Sequence, residues 1–136
     1  MIKTIIVICI IIISGVSSLK SETIRRKRLN KYWERSDFFS AKKWKSIFPE
    51  SSNEEIRTFL ETFVDGFAFS GKKRIKFEPN DKVLCIYNDL YPGKGWIDAL
   101  ELETFALNLE KKYSVKLESN WNENITLGEI FGKIKA

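Results

Sequence analysis

The chain has 136 residues, of which 43% are hydrophobic, 13% aromatic and 30% charged, with no histidine and two cysteines. That length fits one small domain behind a leader, and the absence of histidine excludes Ser-His-Asp and Cys-His nucleophiles, histidine proton shuttles and histidine-containing zinc sites. The net charge of +5 is unevenly distributed: residues 1–35 carry eight basic and two acidic residues, which leaves the rest at −1, so the basic pI gives no reason to expect nucleic-acid binding by the body.

Residues 1–19 open with Lys3, continue as a nine-residue apolar run from Ile5 to Ile13, and end in the small residues Ser14-Gly15-Val16-Ser17-Ser18. This is the layout of a secretory signal peptide, and the run is shorter than the roughly 20 residues of a usual spanning helix. The cluster Arg25-Arg26-Lys27-Arg28 with Lys31 points the other way, because positive charge beside an apolar segment resists translocation. An uncleaved anchor over residues 2–19 would rise about 27 Å, enough for a thinned bilayer. Two localisations therefore stay open: membrane-associated, with the flank Arg25 to Arg28 against anionic headgroups, or exported after cleavage. Cys9 falls in the leader, so Cys85 stands alone in the body, and neither a disulfide nor a four-cysteine metal site can form.

Residues 20–51 read as a basic, then aromatic-rich connector containing Trp33, Phe38, Phe39, Trp44, Ile47 and Phe48. The spacing of Ala41, Trp44 and Phe48 predicts a short helix from Ser40 to Phe48, stopped by Pro49. Residues 52–136 form the helical domain. Ser52 with Glu55 three residues on is a capping box, and Ile56, Phe59, Leu60, Phe63, Val64 and Phe67 follow as one wide apolar stripe ending near Gly66 and Gly71. Lys72-Lys73-Arg74-Ile75-Lys76 reads as a solvated loop, and Asp81 to Tyr87 as a short helix with Cys85 in the core. Pro92-Gly93-Lys94-Gly95 is a plain turn, since the spacing of a phosphate-cradling loop is absent.

A second strong helix is predicted from Asp98, capped by it with Glu101 as reciprocal partner, burying Leu102, Phe105, Ala106, Leu109 and Tyr113. Trp96 and Trp121 are expected to cover the core ends. Thr126 and Glu129 cap a last helix that buries Ile130, Phe131 and Ile134; this role for Thr126 outweighs the glycosylation sequon Asn124-Ile125-Thr126. The expected fold is all-α, a small bundle of three main helices plus a short one. No pair of carboxylates is set apart for acid/base work, and no catalytic residue, cofactor site or metal cluster is expected.

The order of these pieces resembles the acyl carrier protein family, which binds phosphopantetheine. Asp98-Ala99-Leu100-Glu101 opens the second helix, Leu109-Glu110-Lys111-Lys112-Tyr113-Ser114-Val115-Lys116-Leu117 follows it, and Ile125-Thr126-Leu127-Gly128-Glu129-Ile130 precedes the last. The likeness spans residues 52–136, with a longer connector from Pro79 to Ile97 and with Glu103 at a commonly apolar position. It implies that the attachment serine is replaced by Ala99, whose methyl group has no oxygen to form a phosphodiester. It also implies a protein partner on the second helix, met through Asp98, Leu100, Glu101 and Glu103, with carboxylates attracting a basic surface. The function this implies is a non-enzymatic interaction domain at or across a membrane. A carrier modified at another serine, such as Ser70 or Ser114, and an exported helical adaptor or inhibitor are the alternatives.

Overall fold

A computed structural model describes residues 22–91 and 100–136, and these are all-α. Residues 22–33 form α1, followed by α2 (Asp37–Ile47), α3 (Asn53–Gly66), a 3-10 turn (Gly71–Lys76), α4 (Val83–Leu90), α5 (Leu100–Tyr113), α6 (Leu117–Asn120) and α7 (Leu127–Lys135). The leader, Trp96, the turn Pro92 to Gly95, Asp98 and Ala99 lie outside the described residues. Among the described residues no helix is long and apolar enough to cross a membrane.

Helix α3 forms because its start is capped twice over: the Ser52 hydroxyl accepts from the Glu55 amide, and the Glu55 carboxylate accepts from the Ser52 amide. All six residues of its predicted stripe, Ile56, Phe59, Leu60, Phe63, Val64 and Phe67, are buried. Phe63 sits among three rings, with centroids 4.6 Å from Phe67, 4.9 Å from Phe77 and 5.2 Å from Phe105. Such tilted and edge-on pairs add about 0.5–1.5 kcal/mol each beyond area burial.

The connector is part of this core. Helix α2 begins earlier than its apolar spacing predicts, at Asp37, because the Ser36 hydroxyl caps it by accepting from the Phe39 amide. It drives Trp44 into full burial against Phe59 and Phe131, and the indole N–H donates to the Phe77 carbonyl at 2.9 Å. Helix α1 buries Leu29 and Tyr32. The lysine-rich segment 72–76 is a half-buried 3-10 turn where the sequence suggests a solvated loop. Ile75 packs on the core, Lys73 lies over the Trp33 ring, and the Lys76 ammonium donates to the Arg35 carbonyl at 2.6 Å.

A row of ionic contacts clasps the α1–α2 corner to the body. Arg35 meets Asp81 with two parallel N–H···O bonds of 2.6 and 2.8 Å, and also donates to the Lys76 carbonyl. Buried Asp89 accepts from the Tyr32 hydroxyl at 2.6 Å and pairs with the Lys31 ammonium at 2.7 Å. On the far side of α4, the backbone ties the starts of α4 and α7 together: Val83 N–H donates to the Ile125 carbonyl, and Leu127 and Gly128 N–H donate to the Asp81 and Pro79 carbonyls. Glycine is required at 128, since a Cβ there would lie 2.9 Å from the Pro79 oxygen.

Burial, and next the bond to Asp89, push the Tyr32 phenol well above its ordinary value of 10.0. A folded pKa above the unfolded one means that the folded chain keeps this proton while the unfolded chain loses it. The stabilisation is therefore complete below about pH 10 and is lost as pH rises beyond it, by at most about 1.4 kcal/mol per pH unit. Urea unfolding across the alkaline range is expected to show this fall. Tyr32→Phe should flatten it while costing about 1–3 kcal/mol at neutral pH for the bond to Asp89.

Candidate functional site

Helix α5 is oriented by its contact with α3, the most extensive between elements of the described fold. Gly66 lets the two backbones approach so closely that a Cβ on it would lie 2.8 Å from the Phe105 Cα. Phe105 and Leu109 are fully buried, with Leu102, Ala106 and Tyr113 packed at the edge of the core. Helical spacing then turns Leu100, Glu103, Leu107 and Glu110 to solvent. Leu100 is 57% and Leu107 56% exposed.

The chain leaves α5 through Ser114, whose φ of +57° is the left-handed conformation that ends helices. This reversal brings α6 back beside α5 and buries Leu117. Between them lies an open groove with Leu102 and Ala106 at its base, Leu107 and Trp121 on its walls, and Glu103, Glu110, Glu118 and Lys116 along its rim. Three carboxylates against one ammonium make the rim acidic. The groove offers apolar area and negative charge and no nucleophile. Among the described residues no group of three or more histidine, cysteine, aspartate or glutamate side chains is placed to hold a metal.

Of the residues that sequence reasoning assigns to partner binding, Leu100 and Glu103 stand exposed on this face. Glu101 is half-buried, and its carboxylate accepts a hydrogen bond from the Tyr91 hydroxyl, linking the end of α4 to α5. Asp98 and Ala99 lie outside the described residues. Leu107 and Trp121 are not among the sequence-assigned partner residues: Leu107 lies at i+7 from Leu100 on the same helix face, and Trp121, expected to cover a core end, is 37% exposed beside the groove.

The alternative attachment serines are placed elsewhere. The Ser70 hydroxyl accepts from the Lys72 amide and caps the 3-10 turn, and Ser114 follows the C-terminal end of α5. Cys85 is exposed, contrary to the core position its neighbours suggest, because α4 turns Val83, Ile86, Tyr87 and Leu90 inward. No family model, curated protein or solved structure matches the chain.

The two faces of α5 separate in a stability measurement. Phe105→Ala is expected to cost about 3–5 kcal/mol, as a buried aromatic does. Leu107→Ala should stay within about 0.5 kcal/mol of the wild type in the same denaturant titration.

Proposed function

We propose that the chain is a non-enzymatic helical interaction domain, organised like an acyl carrier protein without its attachment serine, that binds a protein partner through α5. Its N-terminal apolar segment holds it at a membrane or directs it across one. The observation that carries this reading is the outer face of α5. Leu100 and Leu107 stand more than half exposed, in line with Glu103 and Glu110 and beside the groove that ends at Trp121. Leucines set in an acidic rim suit a partner that offers an apolar side chain flanked by lysine or arginine. Apolar burial then supplies affinity, while the charges steer the encounter and fix the register.

The absence of histidine supports a non-enzymatic role, and Ala99 in the carrier-like motif supports binding without a prosthetic group. A carrier role at another serine is less well supported, because neither Ser70, whose hydroxyl caps the 3-10 turn, nor Ser114, which ends α5, sits in an Asp-Ser-Leu context.

Photocrosslinking in the native host tests the reading. A crosslinking amino acid at Glu103 is expected to give one discrete adduct, reduced roughly tenfold or more when Leu100 and Leu107 are both changed to aspartate, as for loss of a central apolar anchor. The variant should retain its helical circular dichroism, since both side chains are exposed. A single adduct indifferent to those changes, or no adduct, would contradict partner binding by this face.

A further inference from the structure

A second surface lies at the start of α2, and it differs from the α5 groove in both chemistry and charge. Phe38 and Phe39 are 70% and 62% exposed, their rings edge-on to each other at 5.5 Å, and Ile47 is exposed further along the same helix. Leaving two adjacent phenylalanines in water is unfavourable, yet neither is taken into the core that holds Trp44.

The surroundings of Phe38 are basic. It borders a groove between α2, α3 and the 3-10 turn whose charged lining is Lys45, Arg57, Lys72, Arg74 and Asp37. Asp37 is already taken by Lys76 at 2.8 Å, Arg74 lies 3.7 Å from Glu61, and Lys43 is paired with Glu78. Lys42, one turn on from Phe38, joins Lys45, Arg57 and Lys72 as cations with no acidic partner among the described residues.

We propose that the Phe38–Phe39 edge of α2, with Lys42, Lys45, Arg57 and Lys72 around it, is a docking surface for an anionic phospholipid headgroup layer. Aromatic rings favour the interface between headgroups and acyl chains, and basic side chains within a Debye length of anionic lipid are attracted to it. Charge complementarity and sequence position choose the occupant. The apolar run Ile5 to Ile13 precedes α1 in the chain, and the 12 helical residues 22–33 span only about 18 Å. Any bilayer that takes up the apolar run is therefore within reach of α2. The edge-on rings do not form the series of open parallel faces on which the bases of a single strand stack, which disfavours a nucleic acid. The proposal rests on the membrane-held reading of the N-terminal apolar segment and is independent of partner binding by α5, so either surface can fail without the other.

The test uses the full chain, reconstituted into vesicles of phosphatidylcholine alone or with one third phosphatidylglycerol. An environment-sensitive fluorophore is placed at Phe39→Cys in a Cys9→Ser, Cys85→Ser background, or on the native, exposed Cys85 in Cys9→Ser as a reference. The label at 39 is expected to shift to the blue and to be quenched by brominated acyl chains roughly twofold or more strongly on anionic than on neutral vesicles, with high salt reversing the effect. Lys42→Glu with Lys72→Glu should abolish that difference at unchanged circular dichroism, and the label on Cys85 should remain aqueous throughout. An aqueous label at 39 on anionic vesicles, or equal quenching on both vesicle types, would overturn the proposal. So would a response at 39 to a single-stranded oligonucleotide that exceeds the response to anionic vesicles.

Discussion

The close approach of α3 and α5 at Gly66 is the constraint on which the rest of the arrangement depends. With no Cβ at that position, the α5 backbone lies against α3, and Phe105 enters the cage of Phe63 and Phe67. Once Phe105 and Leu109 are committed inward, helical geometry leaves no freedom in what faces outward. Leu100, Glu103, Leu107 and Glu110 are exposed because other residues of the same helix are buried. The candidate partner face is thus a consequence of core packing, and a change at Gly66 would disturb a surface it never touches.

The aromatic core extends this logic to the N-terminal side. Trp44 from α2, Phe59 from α3 and Phe131 from α7 meet in one cluster, and the Phe77 carbonyl accepts the Trp44 indole bond while its ring meets Phe63 edge-on. The ion pairs at Asp81 and Asp89 lie at the border of this cluster, where burial strengthens them and hydrogen bonds satisfy their oxygens. The N-terminal helices are therefore held by the same core as α3, α5 and α7.

Much of this was legible in the sequence where apolar spacing and capping agreed. Ser52 and Glu55 announced α3, its stripe from Ile56 to Phe67 is buried as spaced, and Thr126 caps α7 by accepting from the Glu129 amide. Leu29, Tyr32 and Trp33 were harder to read because a run of arginine and lysine hides their i, i+3, i+4 spacing. The contacts that bury them, to Asp89 and Phe77, come from residues more than forty positions away. Segment 72–76 was misread because lysine stems are apolar and can cover aromatic surface while the ammonium finds a carbonyl. Cys85 was misplaced for a simpler reason: Val83, Ile86, Tyr87 and Leu90 already fill the inner stripe of α4. For the candidate face, the motif names Leu100 and Glu103, which are exposed, and helical spacing from Leu100 reaches Leu107, whereas the place of Trp121 depends on α6 folding back on α5.

The central claim is that α5 acts by presenting a surface and carries no prosthetic group. The intact mass of the protein isolated from its own host tests it most directly. The expected mass is that of the unmodified polypeptide, either full-length or lacking about the first 18 residues if the leader is cleaved. A mass increased by a phosphopantetheinyl group would contradict it.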